Sequence, residues 1–487
     1  MTDTAAPNEM DITGSVTNSA DQPDLTGNMF PVLDECDIDQ CVVEGEVPEG
    51  LRGSFIRNGP NPAFEPISQY HMFDGDGMLH GITFGDEGVS YRNRWIRSRG
   101  LQRENELGHA IYPGLGNVME FPDRDVTGDA GPVKNPANTH IVRHADRWLA
   151  LWEGGLPTEV TSELDTVGEF DFDGALRGSM TAHPRLDPRT GEMVFFAYNM
   201  FGPPFIHYYV ADAKGSVVHY AGIDLPKPVM MHDLVITETH TVFLDSPIVF
   251  DMENIGNGPL TRWMPDNGTR IGVMPRMGAA EDITWFEIDN GHVQHFWNGW
   301  ADGDRIEFNG SRFAHPEFGI GSDDKLDAST SRDHLPMPAR YWVDLAAGTA
   351  GWEPMDDLCG DFNRINDDYT GVRTDKNYMS GLQTEGRALG DFDTVVKYDT
   401  SGSNGPDGVR TEWYSGRHGH VGESVFAPDP NGTNEDDGWL VNAVYYDDRD
   451  ATDVEILDAT DVAAGPIATV KLDRRVPFGF HANWFPA

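Results

Sequence analysis

The chain is predicted to be all-β, its strands gathered into one large architecture, a propeller or a very large sandwich. Three observations carry this. Glycine (54) and proline (32) are plentiful among the 487 residues, and the apolar stretches between them are short. From about Glu44 onward strand–turn–strand patterns recur. The second half shows no amphipathic helix of four turns.

Taken in order, residues 1–26 are rich in Asp, Asn, Thr, Ala and Pro, with no basic start and no apolar run. They are expected to form a disordered acidic leader rather than a signal or transit peptide, with residues 27–487 as a single domain. Hairpins are predicted over residues 140–152, 184–198 (a Pro and a Gly placed for the loop), 206–220 (around Lys214-Gly215) and 234–244. Others are predicted over 283–297 (around Asn290-Gly291), 395–414, 439–446 and 454–472. The pairs share no motif, so periodicity leaves the blade count open. Two longer insertions, residues 98–129 and 299–338, are expected to cap one face, where a propeller carries its function.

Thirty-five basic against 80 acidic residues give a formal charge of −45, spread along the whole length. Self-repulsion of that size costs stability in dilute buffer but favours solubility where salt shortens the Debye length to about 3 Å. A salt-adapted, haloarchaeal-type cytoplasm is the expectation, and nucleic acid or an anionic membrane is an unfavourable partner. Cys36, Cys41 and Cys359 are too few and scattered for a disulfide framework. No apolar run approaches the roughly 18 residues of a membrane span.

Among 17 histidines, four stand out by context. His183 precedes a predicted hairpin, and His232 opens an apolar strand. His295 and His481 sit in Gln-His-Phe-Trp and Phe-Gly-Phe-His-Ala-Asn-Trp. Their separations of 49, 63 and 186 residues exclude a local zinc-finger clip or a His-x3-His helix. In a propeller, residues from different blades meet at the axis, where four neutral imidazoles without a thiolate suit Fe, Zn, Cu or Ni. Phe73-Asp-Gly-Asp-Gly77 reads as a turn, because its carboxylates would repel phosphate.

Several strings are longer and more specific. They are Gly53-Ser-Phe-Ile-Arg-Asn-Gly-Pro-Asn-Pro62, Tyr70-His-Met-Phe-Asp-Gly-Asp-Gly-Met-Leu-His80, Ala150-Leu-Trp-Glu-Gly-Gly-Leu-Pro157 and the four histidine contexts. Together they resemble the carotenoid cleavage oxygenase family, almost end to end. The resemblance implies a seven-bladed β-propeller, with loops and short helices capping the iron-bearing face, and a non-haem Fe(2+) held by His183, His232, His295 and His481. It also implies carboxylates behind three of these ligands. Glu153 and Glu423 match two. The third position holds Asp361 in Asp-Phe-Asn-Arg-Ile, where the family usually has Glu. Being one methylene shorter, Asp361 must draw the backbone in or work through a water, and is expected to weaken iron retention modestly. Trp300-Ala301 also departs from the family pattern, without touching His295.

The implied reaction is scission of a conjugated C=C bond of a carotenoid or apocarotenoid by O2, giving two carbonyl products. A retinoid-type isomerohydrolase, a stilbene-cleaving dioxygenase and a non-catalytic carotenoid- or metal-binding propeller remain as alternatives. Phe73, Trp152, Phe286, Phe296 and Trp297 are the expected tunnel lining. In the family, stilbene-cleaving members are understood to carry a Lys where this chain has Trp152, which favours the carotenoid. Such substrates dissolve in membranes, so a peripheral membrane contact is expected within residues 111–121, on an otherwise cytoplasmic monomer.

Overall fold

The computed structural model describes residues 11–18, 22–117, 120–253, 260–316, 332–388, 390–402 and 408–487. Seven antiparallel sheets stand around one axis as blades. Blade 2 comprises His140–His144, Arg147–Leu151, Thr158–Val160 and Thr166–Glu169, each strand paired to the next. Blade 3 (Arg185–Leu186 to Val217–Ile223), blade 5 (His292–Asp302 to Thr349–Pro354) and blade 6 (Gly360–Arg364 to Val409–Tyr414) repeat that meander. Blade 4 runs Val235–Ile236, His240–Asp245, Thr269–Pro275, Thr284–Ile288, with a two-stranded ribbon (Ile248–Phe250 and Thr261–Trp263) inserted.

The ring is closed twice. Ala482–Pro486 pairs with Gly53–Pro60 as the innermost strand of blade 1, which continues outward through Gly77–Gly85 and Gly88–Trp95 to Cys36–Ile38; Val42–Gly45 pairs with Pro466–Lys471 on the outside of blade 7, whose other strands are Ala451–Asp458, Gly438–Tyr446 and the inner pair Gly419–Val421 and Val425–Pro428. Long-range pairing at both ends leaves neither blade dependent on a local hairpin alone.

Strand alternation builds the contacts between blades. Met193 and Phe195 face blade 2, while Val194 and Phe196, next to them in the same strand, face blade 4. The same alternation fills each interface. Ile56 and Leu79 meet Ile141 and Ala150 between blades 1 and 2. Val235 and Ile271 meet Phe296 and Phe308 between blades 4 and 5. Trp297 meets Met379 and Tyr398 between blades 5 and 6. The core is thus distributed around the ring, and the axis is left to polar groups.

Most predicted hairpins are found. The one expected over 283–297 is not a hairpin: Thr284–Ile288 is the outer strand of blade 4 and His292–Asp302 the inner strand of blade 5. Asn290-Gly291 turns the chain between blades, and a tight turn has the same composition either way. Residues 439–446 lie in one strand, Gly438–Tyr446. The expected insertion at 299–338 begins with regular blade-5 strands up to Phe313, and residues 317–331 lie outside the described set. The described residues of 98–129 do form a cap. They carry the two α-helices found among the described residues, Arg99–Leu107 and Arg124–Thr127. Ser98 caps the first helix by accepting from the Leu101 N–H (3.3 Å), and Gly108 ends it at φ 75°.

The leader expectation is corrected for the residues described. Ile12 packs with Met78, Trp95 and Leu101, Val16 packs with Leu25 and Tyr70, and the Gly14 and Ser15 N–H groups donate to Leu33 and Ala63 carbonyls. Two isolated apolar side chains in a polar stretch leave no periodic signal to read. Residues 1–10 and 19–21 lie outside the described set. Among the described residues no helix is long and apolar enough to cross a membrane.

Candidate metal centre

All seven blades contribute to one cluster at the axis. His183 and His232 lie just before the innermost strands of blades 3 and 4, His295 lies within that of blade 5, and His481 directly precedes that of blade 1. One ring nitrogen from each of the four lies within 4.8 Å of the others. Ring centroids are 4.4 Å apart for His183 and His481 and 5.1 Å for His232 and His295.

Blades 2, 6 and 7 supply carboxylates. The Nδ1–H of His232 donates to Glu153 (2.7 Å), that of His295 to Asp361 (3.0 Å) and that of His481 to Glu423 (3.1 Å). An ionised carboxylate only accepts, so each bond places the proton on Nδ1 and turns the Nε2 lone pair toward the axis. Asp361 reaches His295 directly. The strand bulges between Asp361 and Arg364, and Phe362 adopts φ 56°. Backbone displacement thus goes with the shorter side chain, and no bridging water is needed.

Burial holds His481 and His183 well below the ordinary imidazole value, followed by the neighbouring imidazoles. Burial acts on His295 in the same direction, but Asp361 more than offsets it and its pKa rises. A carboxylate that favours a proton on the ring also favours a cation at its far nitrogen. The Nε2 atoms of His183 and His295 are buried without a hydrogen-bond partner, a costly state for polar atoms unless something else meets them. A divalent ion at about 2.1 Å from each of two opposed nitrogens separates them by about 4.2 Å. The cluster is close to that spacing, so these residues fit a first-row metal.

His481 is held from both sides. The Phe480 N–H donates to the Asn58 carbonyl (3.0 Å), and the Asn58 N–H to the His481 carbonyl (2.9 Å). A Cβ on Gly59 would lie 2.6 Å from the Gly479 Cα, so the two strands approach this closely only because both residues are glycine. Glycine after Glu153 has a similar reason: a Cβ on Gly154 would lie 2.5 Å from the Trp152 ring.

A cavity of about 170 Å³ lies under the cap, lined by none of the four histidines and joined to their surroundings through Trp152 and Phe73. Trp152 and Phe73 line it, as expected from the sequence. Trp152 adjoins Glu153, and Phe73 packs edge-on against Phe480 (5.4 Å). Phe286, Phe296 and Trp297 do not line it. They are buried between blades, where alternation along their strands sends them away from the axis. One wall is polar: Lys134 is paired with both Asp76 and Glu104, tying the cap helix to blade 1. Sequence reasoning passed over His140, buried in blade 2 with its ring 5.2 Å from that of His481. Its place at the start of an inner strand was the available signal. It also passed over Tyr198, whose hydroxyl bonds Glu153.

A seven-bladed propeller bearing four axial histidines defines a metalloenzyme class. The sequence matches the profile of the retinal pigment epithelial membrane protein (RPE65) family over residues 29–486, and the chain belongs to this family, the carotenoid cleavage oxygenases. It is 32% identical to the carotenoid 9,10(9′,10′)-cleavage dioxygenase 1 of Pisum sativum, over 94% of this chain and 89% of the relative. The fold superposes on the lignostilbene dioxygenase of Pseudomonas brassicacearum with a TM-score of 0.87 at 26% identity, covering 97% of this chain and all of the other. On the cobalt-substituted apocarotenoid oxygenase of Synechocystis it does so with a TM-score of 0.80 at 27% identity, covering 94% and 97%.

Proposed function

We propose that the chain is an Fe(II)-dependent dioxygenase that cleaves one conjugated C=C bond of a carotenoid or apocarotenoid into two carbonyl products. The single observation that carries this is the four-histidine cluster with carboxylates behind three of its members. His183, His232, His295 and His481 would hold the iron through their Nε2 atoms. When bound, iron supplies the redox chemistry that engages O2. Both oxygen atoms enter the products, one to each carbon of the broken bond, so the balance needs no further reductant and no side-chain acid or base.

The protein's own tasks are orientation and exclusion. Glu153, Asp361 and Glu423 fix the imidazole tautomers and aim. Trp152 and Phe73 offer flat apolar walls against which a polyene can lie with one double bond near the axis. The cap keeps bulk water from the reacting carbons.

A second reading, a phenolic stilbene as substrate, is supported by the likeness to the lignostilbene dioxygenase. Trp152 offers no cation, but Lys134 and Tyr112 also line the cavity and give it a cation and a hydroxyl, so the choice of substrate falls to the assay. A panel of apocarotenoids and lignostilbenes incubated under ¹⁸O₂ separates the readings. Labelled aldehydes from the apocarotenoids support the first, and cleavage of stilbenes alone rejects it. Unlabelled products would indicate isomerohydrolase chemistry.

A membrane-dissolved substrate implies an apolar mouth. Phe121 and Val133 line the outer cavity and are more than half exposed, as is nearby Ile67. Leu115, by contrast, packs inward against Met230 and Phe250. Residues 118–119 lie outside the described set. We expect Phe121→Ser with Val133→Ser to reduce co-flotation with liposomes; unchanged flotation rejects the contact.

A further inference from the structure

Three members of the cluster have a carboxylate behind the ring, whereas at His183 no hydrogen-bonded carboxylate is found among the described residues. What holds His183 is the backbone around it. Its own N–H donates to Thr181 Oγ1 (3.1 Å), and the preceding carbonyl, Ala182 O, accepts a 2.7 Å bond from the Nδ1–H of His140.

His140 is a fifth buried histidine beside the cluster, its ring 5.6 Å from that of His183. It is not a fifth ligand. A carbonyl can only accept, so Nδ1 carries the proton, and Nε2 is then an acceptor, satisfied by the side-chain amide of Asn483 at 3.1 Å. The same amide donates to the Ile141 carbonyl (2.7 Å), and its oxygen accepts from Arg364 (2.7 Å). Arg364 lies 3.8 Å from Glu423, the carboxylate behind His481. Both faces of His140 are thus engaged, one on the segment carrying His183 and the other on the strand following His481.

We propose that His140 is the positioning residue for His183, doing through the Ala182 carbonyl what the three carboxylates do for the other imidazoles. The proposal rests on the reading that the four histidines hold a metal. Asn and Gln separate its two bonds, because Asn places an amide N–H near the His Nδ1 position, whereas Gln places its amide oxygen, the acceptor that Asn483 needs, near Nε2. The test uses the full chain loaded with Co(II), whose visible absorption reports the ligand field, with affinity measured against a competing chelator.

His140→Asn keeps the Ala182 bond and should retain the wild-type spectrum, with affinity within about threefold. His140→Gln keeps the Asn483 contact, loses the Ala182 bond, and should show shifted bands and binding roughly 10- to 100-fold weaker, the range for loss of an orienting partner. Thermal unfolding of each variant confirms that it is folded. A His140→Gln protein with wild-type spectrum and affinity overturns the proposal, as does a His140→Asn protein as impaired as His140→Gln. Wild-type protein that takes up no cobalt, or a His183→Ala protein that keeps it unchanged, overturns the four-histidine reading itself.

Discussion

Glu423→Gln is the sharpest perturbation of the proposed metal-holding arrangement. Glu423 is 3% exposed, and its two oxygens accept from His481 Nδ1 (3.1 Å) and from the Ala482 N–H (2.7 Å). Glutamine has one acceptor oxygen, so its NH2 group must face one of these donors. If the amide oxygen keeps the backbone N–H, the imidazole loses a charge-assisted bond of about 1.5–3 kcal/mol, and with it the preference for the tautomer that aims Nε2 at the axis. At about 1.4 kcal/mol per tenfold, that is a metal affinity 10- to 100-fold weaker. The charge matters beyond the bond. Burial pushes the Arg57 guanidinium down to about 10 against the opposing pull of Glu423, and Arg364 lies 3.8 Å away, so the variant leaves two buried cations less compensated and should also melt earlier. Competition for Zn(II) or Co(II) against a chromophoric chelator measures the affinity. A Glu423→Gln protein binding within threefold of wild type would refute the role assigned to this carboxylate.

Removing residues 481–487 takes away His481 together with the strand Ala482–Pro486, whose Phe485 is buried between blades 1 and 2. Metal uptake should vanish and the melting temperature fall by roughly 5 °C or more, whereas His481→Ala should lose affinity with a far smaller change in the metal-free melting point. Asp361 reaches His295 directly across the bulge, which replaces the weakened iron retention expected from its length: Asp361→Glu pushes an extra methylene into a bulge already shaped for Asp, so it should gain no metal affinity and lose about 1–3 kcal/mol of stability; tighter binding would show that the short side chain limits the site. Asp74, half-buried under the cap with its oxygens accepting from Leu115 and His71 N–H groups, has its pKa pushed up to about 6 by desolvation. The native state then holds this proton longer than the unfolded chain. Stability from this group is full below pH 4 and falls by about 3 kcal/mol as pH rises through 6. Urea unfolding at pH 4 and pH 7 should therefore show Asp74→Asn gaining on the wild type by that amount, and parallel behaviour would contradict it.

The fold class and the site differ in how they were legible. Short strands and turn residues signalled a large all-β architecture, propeller or sandwich, but the closed ring and its blade count came only with the family resemblance, because the blades share no repeated motif. The four histidines stood in distinctive apolar contexts, and inner-strand geometry brings all four together. Glu153, Asp361 and Glu423 were also placed, although the direct reach of Asp361 depends on a bulge and on the φ of Phe362, which no composition encodes. The lining was harder to read. Phe296 and Trp297 neighbour His295 in sequence, yet in a strand adjacent side chains leave in opposite directions and the twist carries both into interfaces. His140 went unnoticed for the opposite reason, as its neighbours Ile141 and Val142 look like any strand.

Iron and product measured together test the central claim most directly. Wild type and His232→Ala are purified, their iron per chain determined, and each is given an apocarotenoid under ¹⁸O₂. About one iron per wild-type chain and label in both carbonyl products are expected, with iron and turnover lost together in the variant. Wild-type protein that holds its full iron and cleaves no polyene, or a His232→Ala protein that keeps both, would contradict it.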